Sequence, residues 1–203
     1  MTLVAALLLC YLLGSIPTAY LVVKRARGID IRTVGSGNVG TTNALRTAGP
    51  WAGGIVLFVD VLKGLVAAAL VPRWMLGSNT LGTSLACGMA AVVGHAFPCF
   101  LRFRGGKGVA TTLGVLAGSS LQLAGITTVA WLVVFACTRY VSVASLAAAA
   151  AIPLSQWVLH QAWPEVLIGV GLALLILGRH HTNLQRLLSG TEHRAWSPRP
   201  PTT

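Results

Sequence analysis

Carboxylates are nearly absent from this chain: its 203 residues include four, Asp30, Asp60, Glu165 and Glu192. That scarcity excludes a two-metal centre, which needs several acidic ligands, and a glycosidase, which needs a facing carboxylate pair. No histidine stands in a His-x-x-x-x-Asp pattern, so the base of acyl-CoA-using acyltransferases is missing as well. Cysteine is sparse. Cys10, Cys87, Cys99 and Cys137 lie far apart with no Cys-x-x-Cys pair, and read as unpaired apolar residues. His180-His181 has no carboxylate or cysteine close by in sequence and does not make a metal site. The Gly-x-x-x-x-Gly-Lys-[Ser/Thr] spacing of a nucleotide-binding loop is also missing. Neither a metal nor a cofactor is expected.

Charge of any sign is scarce, at 9% of residues, whereas 55% are hydrophobic and the mean hydropathy is +0.75. Soluble domains carry about a quarter charged residues. A chain this apolar cannot cover itself with polar surface, so the composition points to an all-α, polytopic integral membrane protein with the lipid bilayer as its surroundings. Continuous apolar runs, instead of alternating ones, argue against a transmembrane barrel. The net charge of +11 would suggest nucleic acid in a soluble protein, but here Lys and Arg sit mostly between the apolar runs, as cytoplasmic loops require. No nucleic-acid partner is expected.

A span needs about 20 apolar residues. Candidates are 3–23, 51–71, 80–97, 141–159 and a shorter run at 165–178. The first could pass for a signal peptide, yet no basic residues precede it and Lys24-Arg25-Ala26-Arg27 follows it, which suits a retained helix. The 109–139 run would make one helix of about 46 Å, too long for a core of about 30 Å. Gly118-Ser119-Ser120 interrupts it, so it divides into 109–117 and 121–137. With the N-terminus outside, two crossings there keep Arg139 and the basic tail inside, together with 24–50 and 98–108. The pattern predicts about seven transmembrane or half-membrane segments, a cytoplasmic C-terminus, one membrane domain over 1–193 and a loose tail over 194–203.

Under this topology four polar stretches share one membrane face. The first, Gly35-Ser36-Gly37-Asn38-Val39-Gly40-Thr41-Thr42-Asn43-Ala44-Leu45-Arg46, interleaves glycines with small donors and closes on an arginine. It suits a phosphate; it would also serve as a plain turn with capping residues. The second, Arg104-Gly105-Gly106-Lys107-Gly108, can turn backbone amides and a lysine toward an anion, and a helix opening at Val109 would add its positive end. His95, ten residues earlier, reads as a helix-end packing residue rather than a base. The third holds Ser142 and Ser145, three apart and able to share a helix face. The fourth runs from Arg179 to Glu192. It places His180 and Asn183 at i, i+3, with Leu184, Leu187 and Leu188 fitting a solvated amphipathic end. Within an apolar run, Asp60 and Lys63 stand at i, i+3 and can pair, which reads as a structural ion pair.

Taken in order, these stretches resemble the bacterial acyl-phosphate:glycerol-3-phosphate acyltransferase family. Its carriers here are Gly35 to Gly40 with Thr42, Asn43 and Arg46; His95-Ala96-Phe97-Pro98 with Gly105-Gly106-Lys107-Gly108-Val109-Ala110-Thr111; Ser142; and Arg179-His180 through Asn183 to Gly190-Thr191-Glu192. Thr41 and Arg104 depart from the family's usual Ala and Lys. The resemblance implies a multi-pass enzyme of the bacterial cell membrane with its site facing the cytoplasm. Such an enzyme moves a fatty acyl group from acyl phosphate to the 1-hydroxyl of glycerol 3-phosphate, giving lysophosphatidic acid and phosphate in phospholipid synthesis. It implies catalytic roles for Ser36, Arg46, Lys107, Ser142, His180 and Asn183. Substrate contacts fall to Gly37, Asn38, Gly40, Thr42, Asn43, Gly105, Gly106, Gly108 and Thr111, and structural roles to Asp60, Lys63 and Glu192. The 105–108 amides would hold the acyl phosphate, and attack would be direct, without an acyl-enzyme. The alternative from another class is a membrane transporter or channel for a phosphorylated anion, against which the missing inverted repeat argues.

Overall fold

The computed structural model describes residues 2–195; all but the first two residues of the expected loose tail lie outside the described residues. The described residues form ten α-helices linked by 3-10 and π-helical turns. Five stretches are long and apolar enough to cross a bilayer: Leu3–Arg27, Pro50–Leu76, Leu81–Leu101, Leu121–Thr138 and Val141–Val158. Helices α9 (Trp163–Arg179) and α10 (His181–Leu188), bent by 57° at their junction, make a sixth, and α6 (Val109–Ser119) is a shorter apolar helix. The expected seven segments therefore correspond to up to six stretches long and apolar enough to span and one shorter apolar helix. The break in the long apolar run falls at the predicted place. Helix α6 ends at Ser119 and Ser120 caps α7 (Leu121–Thr138), its Oγ accepting from the Leu123 amide at 3.4 Å.

The first span departs from the continuous 3–23 helix expected of it. Helix α1 (Leu3–Ser15) stops before Pro17 and α2 (Thr18–Arg27) restarts after it. Proline has no N–H to donate and its ring crowds the preceding turn. The Thr18 amide turns back to the Ile16 carbonyl at 3.0 Å, and the same carbonyl accepts from Lys63 Nζ at 3.3 Å. A broken helix in lipid is tolerated where a neighbouring element satisfies the freed backbone, and Lys63 does so.

Helix α6 is too short to span, yet it lies in protein, not in lipid. A β-carbon added at Gly64 of α4 (Pro50–Ala69) would sit 2.1 Å from the Thr111 carbonyl oxygen, and one at Gly114 would sit 1.9 Å from that of Val61. The two backbones touch through small residues, as helices in lipid associate. Val115 and Leu116 of α6 then join Leu85 and Val92 of α5 (Leu81–Ala96) and Ile152 of α8 (Val141–Val158) in the main core. By contrast α7 turns Leu121, Val129, Leu132 and Val133 outward. Trp51, Trp74, Trp157 and Trp163, all exposed near helix ends, suit the two interfacial belts.

One polar network crosses this apolar interior. Lys63 Nζ lies 2.8 Å from Asp60 Oδ1 and 2.9 Å from His95 Nδ1, and all three side chains are buried. The ammonium can only donate, so His95 Nδ1 accepts and the ring carries its proton on Nε2. The Asp60–Lys63 pair within α4 makes burial of these charges tolerable, and the Lys63–His95 bond ties the middle of α4 to the end of α5. Lys63→Met leaves the Asp60 carboxylate buried without its partner and should cost about 3–5 kcal/mol, read as a lower thermal unfolding midpoint in detergent. Combining it with Asp60→Asn should recover most of that loss. An equal loss in the double variant would show that charge pairing is not what stabilises the bundle.

Candidate active site

The first glycine-rich loop is shaped from behind by Asn43. At the start of α3 (Thr41–Ala48) this side chain is 1% exposed, and its amide nitrogen faces the carbonyls of Ile31, Val34 and Asn38 at 3.2, 3.1 and 3.1 Å. Its oxygen accepts from the Ser36 amide at 3.2 Å. Gly35 and Gly37 take φ values of +60° and +67°, open to glycine at no steric cost. The result is a tight turn that presents Ser36, Gly37 and Asn38 outward. Asn43, expected among the substrate contacts, has its hydrogen-bonding groups engaged by the loop it shapes. The Gly40 amide is likewise turned inward, to the Asn38 carbonyl at 3.1 Å.

The second loop is folded back on the end of α5. The amides of Gly105 and Gly106 donate to the carbonyls of Ala96 and His95 at 3.2 and 3.0 Å, so these two cannot also cradle a phosphate as the sequence led us to expect. Their glycine identity has another cause. A β-carbon at Gly105 would meet the His95 carbonyl oxygen at 2.1 Å; one at Gly106 would meet His95 Nε2 at 2.1 Å and the Val39 carbonyl oxygen at 2.6 Å. Their own carbonyls are held by Arg179, whose Nη2 donates to Gly105 at 2.8 Å and Nε to Gly106 at 3.0 Å. The guanidinium also stacks 5.1 Å from the centre of the Phe97 ring. Gly108, at φ +85°, starts α6, and that helix's first turn remains as an amide donor surface beside Lys107. Thr111, another expected contact, is fully buried with its carbonyl against Gly64, and so does not reach the groove.

From this turn Lys107 extends to the third and fourth stretches. Its Nζ donates to Asn183 Oδ1, and the Asn183 amide donates to Glu192 Oε1 at 2.7 Å. Ser142 Oγ donates to the same carboxylate oxygen at 2.8 Å, and Arg186 Nε to the other at 2.7 Å. Ser145 parts from Ser142: its hydroxyl faces the Val141 carbonyl and the Trp131 indole. His180 is buried at the bend between α9 and α10, with Nδ1 bonded to the Ile176 carbonyl at 2.8 Å, which leaves Nε2 as the ring nitrogen able to act. Arg46 lies exposed on α3, near enough for its charge to bear on Lys107.

The electrostatics here favour an anion. Burial pushes the Lys107 ammonium down to about 8, with Glu192 opposing the shift and Arg186, Arg46 and Arg179 adding to it. Burial would raise the Glu192 carboxyl, but the bonds from Arg186, Asn183 and Ser142 outweigh it and hold the group below its usual range. One firmly ionised carboxylate faces several cations, so a bound dianion would relieve their repulsion. The surrounding open groove has a volume of about 980 Å³ and is lined by Ser36, Gly37, Asn38, Gly105, Lys107 and Arg179, among others. Among the described residues no group of three His, Cys, Asp or Glu side chains is placed to hold a metal ion. Sequence reasoning gave Arg179 no role, because a guanidinium that binds backbone carbonyls seventy residues away leaves no local pattern.

Similar proteins have the same length and shape. The family model described as glycerol-3-phosphate acyltransferase matches residues 4–190. A glycerol-3-phosphate acyltransferase of Thermosynechococcus vestitus is 46% identical over 195 residues, covering 92% of each chain. One from Desulforudis audaxviator is 45% identical over 186 residues, again covering 92% of each. Crystal structures of PlsY (YgiH), an integral membrane glycerol 3-phosphate acyltransferase, superpose closely. The glycerol 3-phosphate form has a TM-score of 0.88 at 39% identity and 95% coverage of both chains. The lysophosphatidic acid form has a TM-score of 0.83 at 38% identity, covering 95% of this chain and 94% of that one.

Phosphate should stabilise the purified protein against heat by binding the folded state. Gly106→Ala should abolish that stabilisation, because its methyl group cannot fit against Val39 and His95. Gly54→Ala, at a helical position with open space around it, should preserve it. Phosphate-dependent stabilisation that survives Gly106→Ala would dissociate the turn from anion binding.

Proposed function

This chain belongs to the glycerol-3-phosphate acyltransferase family, and we propose that it draws its acyl group from an acyl phosphate. It is a multi-pass membrane enzyme that acylates glycerol 3-phosphate in phospholipid synthesis. Family membership displaces the alternative of an anion transporter. The observation that carries the donor reading is the state of the carboxylate in the Lys107 network: Glu192 is triply hydrogen-bonded and held below its usual range, which makes it a weak base. An acyl phosphate brings a good leaving group and a proton acceptor of its own, so it needs little from the protein beyond positioning and charge.

In the proposed reaction the 1-hydroxyl oxygen of glycerol 3-phosphate attacks the acyl carbon directly. The new ester C–O bond forms, the bond from the acyl carbon to the phosphate oxygen breaks, and the hydroxyl proton passes to the departing phosphate. Lys107, Arg46 and Arg186 hold phosphate charge, and Ser142, Asn183 and His180 orient the glycerol phosphate. Ser36, exposed on its turn, bonds a phosphate oxygen or the attacking hydroxyl. Of the expected substrate contacts, Gly37, Asn38, Thr42 and Gly108 keep that role, while Asn43, Gly40, Gly105 and Gly106 act by fixing loop shape. The basic residues of 24–50 and 98–108 support a site on the cytoplasmic face of a bacterial inner membrane, with the N-terminus outside.

Purified enzyme in detergent should release phosphate only when acyl phosphate and glycerol 3-phosphate are both present; turnover with acyl-CoA in its place would overturn the donor reading. His180→Ala should lower kcat by roughly 10²- to 10³-fold, the usual cost of one preorganised electrostatic partner. Unchanged kcat and KM would remove His180 from the site. Because Lys107 binds phosphate only as the ammonium, kcat/KM for glycerol 3-phosphate should be full at low pH and fall as pH rises through about 8. Lys107→Arg should shift that fall to higher pH if it keeps activity.

A further inference from the structure

The groove has two kinds of wall. Beyond the cations, its lining includes Tyr20, Phe100, Leu101 and Phe103. Phe100 and Phe103 are 62% and 60% exposed, and Phe100 stands in the last turn of the Leu81–Leu101 span, at the edge of the apolar band. The chain takes an unusual course to place them. Arg102 and Phe103 adopt φ values of +53° and +61°, consecutive left-handed conformations without a glycine. Amides of Leu101 and Phe103 both donate to the Pro98 carbonyl, at 3.1 and 2.9 Å, and the Arg104 amide to that of Leu101 at 3.2 Å. A bulky residue in that region persists only where its surroundings impose it, and such residues gather at ligand sites.

We propose that this aromatic wall, Phe100 and Phe103 above all, holds the fatty chain of the acyl donor. The assignment rests on the acyl phosphate reading given above. An acyl phosphate is an amphiphile whose head must reach Lys107 while its chain leaves the bilayer, and the groove is amphiphilic in the same sense. Phe100, Leu101 and Phe103 lie at or just past the end of a span, with Arg102 and Arg104 beside them, and Lys107, Arg179 and Arg186 also line the groove. Charge complementarity fixes the orientation: phosphate toward Lys107, Arg179 and Arg186, chain toward the phenylalanines. The wall therefore acts on donors according to chain length and leaves glycerol 3-phosphate untouched.

The experiment compares palmitoyl phosphate with butyryl phosphate, whose chain is too short to cover the wall, on the full-length enzyme in one detergent. Phe100→Ala/Phe103→Ala should raise KM for palmitoyl phosphate by about tenfold or more, from lost apolar contact. It should leave KM for butyryl phosphate and for glycerol 3-phosphate within about twofold, which also reports an intact fold. Phe100→Leu/Phe103→Leu should restore most of the palmitoyl value. Equal changes for both chain lengths, or no change for either, would overturn the assignment. If the unaltered enzyme turns over neither acyl phosphate, the donor reading has failed by itself. The same length comparison with palmitoyl-CoA and butyryl-CoA then decides the wall.

Discussion

The site depends on how closely the Gly105-Gly106 turn approaches the end of α5. Backbone meets backbone there at distances that leave no room for a single β-carbon. Two amide bonds hold the turn from the α5 side, and Arg179 holds its carbonyls from α9. His95 is common to this contact and to the buried pair beneath it, since its Nδ1 accepts from Lys63 while its Nε2 edge faces Gly106. The Asp60–Lys63 ion pair thus sets the tautomer and placement of a ring on which the phosphate-side loop rests. Charge buried in the membrane interior costs energy, and here that cost is tied to the shape of the site.

Above this foundation the chemistry is electrostatic. Glu192 gathers Ser142, Asn183 and Arg186, and Asn183 in turn receives Lys107, so one carboxylate organises four side chains drawn from two helices and a loop. Such a network is rigid because each member is satisfied by another. It orients donors in advance of substrate, which is what a reaction with an activated donor requires. The same carboxylate is made a weak base by its three hydrogen bonds, which fits the proposed transfer from a donor that brings its own proton acceptor.

Much of the architecture was legible residue by residue. The 109–139 run was too long for one crossing, and Gly118-Ser119-Ser120 marked where it divides. Spacing at i, i+3 paired Asp60 with Lys63, whereas the helix that would have set His180 beside Asn183 is interrupted at His180 by the 57° bend. The break in the first span was harder to see, because Pro17 sits in otherwise apolar sequence and a membrane helix can keep a proline. Its partner, Lys63, lies 47 residues away. Loop composition likewise gave no means of telling Asn43 from Asn38, although one supports the turn from inside and the other faces the groove.

What the sequence alone determined is the local and the cumulative: membrane residence from composition, the division into helices from length and breaks, and the anionic character of the ligand from glycines and cations without acids. Each follows from properties that neighbouring residues share. Only the tertiary structure decided which amides stay free, which glycines serve close approach instead of binding, and that Arg179 clamps the turn. Those outcomes depend on groups tens of residues apart in the chain, and hydrogen-bond partners at such separations leave no periodic trace in sequence.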